Sequence, residues 1–91
     1  MFQWDEDKNQ KNIERHKLAF EFAEAVFEGQ VITFEDNRSD YNEKRYITYG
    51  HLENRLIVIV HTFRDNDIRI ISMRKGNKRE QKFFEKTTQK T

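Results

Sequence analysis

The sequence predicts an α+β fold, in which two N-terminal helices precede a mainly antiparallel sheet of about four strands and a C-terminal helix. Three observations carry this. Phe20, Ala23 and Phe27 recur at helical spacing in the first third of the chain. Three strand-like stretches between Arg45 and Arg74 are separated only by short polar turns. Asn77 followed by Glu80 is a helix-opening signature just after the last of these strands.

Element by element, Met1–Trp4 suits a brief edge strand, apolar at Phe2 and Trp4. Asp5 or Asp7 offers an N-cap for a helix running to about His16, with Ile13 as its main buried residue. Lys17 falls in the turn, and a second helix covers Phe20–Glu28, with Gly29 just past its end. Val31–Phe34 reads as a strand, and the polar segment Glu35–Lys44 as a loop rich in turn formers. Strands at about Arg45–Gly50, Arg55–Phe63 and Ile68–Arg74 form two consecutive hairpins through turns at His51–Asn54 and Asp65–Asp67. A helix from about Lys78 closes the chain, anchored by Phe83 and Phe84.

Ninety-one residues, 35% of them apolar or aromatic, allow one modest core and so a single domain over residues 1–91. No cysteine is present, which excludes disulfides and thiolate metal sites and suits a reducing compartment. The longest apolar stretch, Leu56–Val60, is far too short to span a membrane. The acidic start at Asp5, Glu6 and Asp7 is unlike a signal peptide. His16 and His51 lack metal-ligand spacing, and no Gly-rich phosphate loop or nucleophile elbow appears, so no metal or cofactor is expected.

Net charge is only +1, but its distribution is uneven. Residues 1–68 carry 9 Lys/Arg against 14 Asp/Glu, and residues 69–91 carry 8 against 2. The C-terminal end therefore faces anions from an otherwise acidic body, a solvated charged surface being the plain alternative. The focus is the corner Ser72–Arg79, where Lys75, Lys78 and Arg79 surround a helix N-terminus. A helix dipole disfavours cations there, whereas free N–H groups and basic side chains together hold a phosphate.

Strand alternation assigns faces to the sheet. With turns centred near Asp65–Asn66 and Leu52–Glu53, one face carries Ile47, Tyr49, Leu56, Val58, Val60, Ile71 and Met73, as a core for the helices. The other carries Tyr46, Thr48, Arg55, Ile57, Ile59, His61, Ile70, Ser72 and Arg74, as a ligand-facing surface. In this register Arg55 and Arg74 are diagonal neighbours, about 7–8 Å apart between Cα atoms. His61 lies about 13 Å farther along. Two neighbouring guanidiniums ask for an anion between them, and a phosphodiester fits their planar fork of donors. Surface ion pairs, for example with Glu53, are the alternative.

Successive blocks also resemble the BrnT family: Phe2–Asn9, Asn12–His16, Phe20–Phe27, Arg45–Gly50, Arg55–Thr62 and Arg69–Arg74, in order and spacing from about Phe2 to Glu85. The resemblance implies a bacterial, cytoplasmic type II toxin with a RelE-like fold, a ribonuclease that halts translation. It implies an RNA substrate and a BrnA-like ribbon-helix-helix antitoxin, with operator DNA reached only through that antitoxin. It places the arginine opening the central strand at Arg55 and that of the Ser-x-Arg block at Arg74. Three positions depart from the family pattern: Lys17 stands for a common glycine, Ala19 for a serine and Phe84 for a tyrosine.

The expected chemistry is metal-independent RNA cleavage by attack of the ribose 2′-OH on the adjacent phosphate. Arg74 and Arg55 would stabilise the transition-state charge, while Lys75, Lys78, Arg79 and Tyr46 hold the substrate. The acid and base stay open among His61, His51, Tyr46 and Lys75, with His61 the secondary catalytic candidate. Two other readings use the same corner: a non-catalytic nucleic-acid-binding module, or a protein-interaction domain docking an acidic partner.

Overall fold

The computed structural model describes residues 1–38 and 42–89. Strand β1 (Phe2–Gln3) leads into helix α1 (Glu6–His16), then a 3₁₀ turn (Phe20–Phe22) and the short helix α2 (Ala23–Glu28). Strands β2 (Val31–Asp36), β3 (Arg45–Leu52), β4 (Arg55–Arg64) and β5 (Asp67–Lys75) follow, and helix α3 (Lys78–Thr88) closes the order. The expected α+β class and both hairpins are present. The second helix is split by its 3₁₀ start, and β2 runs two residues farther than expected, pairing Asp36 with Arg45. Residues 39–41 of the expected loop lie outside the described residues.

The five strands lie in the order β1-β5-β4-β3-β2. All neighbours are antiparallel except β1, which runs parallel to β5 through Phe2–Ile68 and Gln3–Arg69. Both hairpins close through two-residue turns. Asp65 and Asn66 take positive φ (53° and 73°), as the tight right-twisted turn requires, and Glu53 does so at 56°.

Asp5 starts α1 by accepting hydrogen bonds from the Asp7 and Lys8 amides at 2.8 and 3.3 Å. Lys17 ends it at φ 59°, ψ 33°, the left-handed conformation that a glycine adopts most cheaply. The inward face of α1 is led by asparagines, and Ile13 is only half-buried. Asn9 accepts from the Phe20 amide at 2.8 Å and so fixes the start of the 3₁₀ turn. Asn12 donates to the carbonyls of Leu18 and Met73, both at 2.9 Å, and accepts from the Met73 amide at 3.2 Å. Its carboxamide thereby pairs β5 as a neighbouring strand would.

The expected division of β3 and β4 between the two faces holds, but both faces are buried and a bulge moves the end of β5 from one to the other. Val60 lies opposite Ser72 but His61 opposite Ile70, which leaves Ile71 as an extra residue on β5. Beyond it Met73 pairs with Ile59, Arg74 with Val58 and Lys75 with Ile57. The N-terminal helices cover Ile57, Ile59, Ile70 and Met73, packed on Leu18, Phe20, Ala23 and Val26. Helix α3 covers the opposite face, where Phe84 packs with Ile47, Tyr49, Leu56 and Val58. Both faces of the sheet are therefore covered, and the surface expected to meet a ligand is the main core.

Candidate nucleic-acid interface

The corner between β5 and α3 is fixed by its backbone. Gly76 donates to the Leu56 carbonyl at 2.8 Å, and a Cβ there would lie 2.6 Å from Leu56 Cδ2, so only glycine lets the chain pass this close. Asn77 then caps α3, accepting from the Glu80 amide at 2.8 Å, while the Glu80 carboxylate accepts from the Asn77 amide at 2.9 Å. This is the capping box expected from the sequence.

Glu80 does more than cap. Its two oxygens accept from Arg74 Nη1 at 2.9 Å and Nη2 at 2.7 Å, a bidentate pair between strand and helix. The Tyr49 hydroxyl donates to the same carboxylate at 3.4 Å. The Arg74 hydrogen bonds hold the Glu80 carboxyl below the usual carboxylate range, and Glu80 in turn raises the Arg74 pKa. Burial, reinforced by the Glu80 charge, raises the Tyr49 phenol. At neutral pH this group is an ionised carboxylate, a guanidinium and a neutral phenol.

Beside it opens a cleft of about 490 Å³ lined by Phe34, Tyr49, Asn77, Arg79, Glu80 and Phe83. Tyr49 meets Phe34 and Phe83 edge-to-face, with ring centroids 5.4 and 5.8 Å apart. Phe34 and Phe83 remain partly open to solvent, 38% and 47% exposed. Lys75, Lys78 and Arg79 are exposed around the corner. The volume lies within the range of small-molecule sites, and aromatic walls suit the flat face of a nucleobase.

The other expected site residues fall elsewhere. Arg55 shares the face of Ile57, whereas Arg74 shares that of Val58, so the two arginines point to opposite sides of the sheet. The register makes Lys75, opposite Ile57, the diagonal neighbour of Arg55 instead. His61 is fully buried under α2, with Phe27 at 5.3 Å, Phe63 at 5.4 Å and Tyr46 stacked at 6.0 Å between centroids. Its Nε2 pairs with Thr48 Oγ1 at 2.7 Å, and burial pushes its pKa down to about 4. His61 and half-buried Tyr46 thus sit together in the core of the other face, away from Arg74. Sequence reasoning did not single out Phe34, Tyr49 or Glu80 as site residues. Only the capping box drew attention to Glu80.

The chain matches the family model described as the ribonuclease toxin BrnT of type II toxin–antitoxin systems, over residues 4–80. It belongs to the BrnT family. The match extends from Trp4, before α1, to Glu80, and so takes in the whole Tyr49–Arg74–Glu80 group. Membership makes the protein a ribonuclease toxin of a two-component system, with RNA as target and an antitoxin as partner. No curated protein matches the chain. Among the described residues no three His, Asp or Glu side chains converge as a metal ion would need, and no helix is long and apolar enough to cross a membrane.

Proposed function

We propose that this BrnT-family toxin cleaves RNA at the β5–α3 corner without a metal ion. A nucleobase enters the cleft between Phe34 and Phe83, and the adjoining phosphate meets Arg79, Lys78 and Arg74. The observation that carries this reading is the convergence of an aromatic cleft, a fixed guanidinium and exposed cations on one helix start.

Cleavage would proceed by attack of the 2′-oxygen on the adjacent phosphorus with departure of the 5′-oxygen, leaving a 2′,3′-cyclic phosphate and a 5′-hydroxyl. Glu80, its lone pairs taken by Arg74, Tyr49 and the Asn77 amide, fixes the guanidinium and the phenol at the cleft, and the 2′-OH proton passes to solvent. The neutral Tyr49 phenol beside it supplies a proton to the leaving oxygen. Arg74, held in plane by Glu80, and the exposed Arg79 offset the charge that builds on the phosphoryl oxygens. Arg55 and Lys75, on the other side of the corner, hold flanking phosphates. His61 serves the fold.

The partner is inferred to be a BrnA-like ribbon-helix-helix antitoxin that neutralises the toxin in the bacterial cytoplasm, and translation the process arrested. The decisive experiment incubates the purified chain with RNA in excess chelator and maps the product ends. Cleavage should persist, fall about 100-fold or more in Tyr49→Phe and Arg79→Ala, and survive in His61→Gln. Undiminished cleavage by folded Arg74→Ala and Arg79→Ala variants would remove the corner from consideration. Binding of RNA with no product from the wild type would leave a non-catalytic module.

A further inference from the structure

A second cationic site lies outside this corner. Lys8, Lys11, Arg15 and His16 of α1 line a cleft of about 200 Å³ against Ile71 and Ser72 of β5. At 100° per residue they occupy one helix face, and no carboxylate lines the cleft. Asp7 and Glu14 lie within one turn of Lys11 in sequence. Even so, none of the four basic side chains is in an ion pair with a carboxylate among the described residues.

The arrangement is unfavourable without an anion. Lys8 with Lys11, and Lys11 with Arg15, are like charges at the two spacings that face each other on a helix. Arg15 and His16 complement the helix dipole in the last turn, but Lys8 lies in the first turns, where the dipole opposes a cation. Dipole complementarity therefore explains half the set and not the other half. The floor is built as well: Asn12 ties α1 to β5 at Met73, and the bulge at Ile71 lies in the cleft wall beside Ser72. Ser72 is two residues before Arg74, about 7 Å along the strand. The cleft holds the volume of about seven water molecules, enough for a phosphate and too little for a nucleotide.

We infer that the α1–β5 cleft is a phosphate subsite for the RNA strand, which runs from the β5–α3 corner over the edge of β5 to α1. This rests on the ribonuclease reading above and extends it by giving the substrate a direction and a minimum length. The subsite reads no base. It binds backbone charge, so it adds affinity for longer strands and a steeper salt dependence.

The test uses fluorescent oligoribonucleotides with 2′-O-methyl sugars, which bind without being cleaved, in lengths of four and twelve nucleotides. Binding to the full chain is followed by anisotropy from low to high salt. The variant Lys8→Gln/Lys11→Gln/Arg15→Gln should hold the tetramer as the wild type does. It should bind the dodecamer about tenfold or more weakly, with a salt slope lower by about 0.7, the share of the one phosphate no longer neutralised. Lys78→Gln/Arg79→Gln should weaken both lengths. Equal dodecamer affinity and slope in wild type and cleft variant overturns the subsite while the corner stands. The same result with loss of the coexpressed antitoxin assigns the cleft to an acidic protein segment and overturns it too. If the wild type binds neither length, the β5–α3 corner falls as the RNA site and the subsite with it. Thermal melts verify that the variants are folded.

Discussion

Lowering the pH from 7.5 to 5 should destabilise this protein through one side chain, His61. Its imidazole is fully buried and hydrogen-bonded only through Nε2, so folding holds it neutral, with a pKa near 4 against 6.5 for the free group. In the unfolded chain the proton binds first as pH falls. The stabilisation is therefore complete above about pH 7, declines below about 6.5, and levels off below about 4. A separation of about 2.5 units amounts to about 3 kcal/mol in full, of which about 2 kcal/mol is lost by pH 5. The carboxyls that folding lowers, those of Glu6, Asp36 and Glu80, lose their contribution only at more acidic pH, as they protonate. Urea unfolding at pH 7.5 and 5 gives the two free energies directly. The wild type should lose about 2 kcal/mol more than His61→Gln, whose amide can still meet Thr48 but does not titrate. Parallel losses in the two proteins would refute the buried neutral imidazole. His61→Asn serves as a second comparison should the glutamine overfill the site.

Three further substitutions test the supports of the corner and sheet by urea unfolding. Gly76→Ala drives a Cβ against Leu56, itself buried, and should cost about 1–3 kcal/mol while displacing the start of α3 and reducing cleavage. Asn12→Ala strips the partner from the Met73 amide and from the Met73 and Leu18 carbonyls, for a loss of about 2–4 kcal/mol. Lys17→Gly relieves a side chain held at φ 59° and should stabilise the protein by about 1 kcal/mol.

The alternating strands and the Asn77–Glu80 capping box were readable because each depends on neighbours close in sequence. The face taken by the end of β5 was not. Alternation reverses whenever one residue is inserted, and Ile71 is such a residue, hidden in an apolar run that looks regular. That single insertion moved Arg74 off the face of Arg55 and put Met73 under the N-terminal helices. Helix α1 was found but its buried side was not, because counting apolar residues passes over Asn9 and Asn12. The Arg74–Glu80 pair escaped for another reason. A carboxylate already used by a cap still has lone pairs to offer, and only the packed corner reveals who takes them. Gly29 follows its helix as expected yet is not left-handed, whereas Lys17 is.

Asn12 has a consequence for how the molecule meets other chains. An outer strand normally displays a row of free donors and acceptors on which any extended peptide can assemble. On β5 that row is occupied twice, by β1 at Ile68 and Arg69 and by the Asn12 carboxamide at Met73. The border on that flank is left to the two residues of β1, whereas the six-residue β2 forms the other border with no strand beyond it among the described residues. A strand from a partner, or from a second copy during misassembly, would find its longer run of backbone alongside Val31–Asp36.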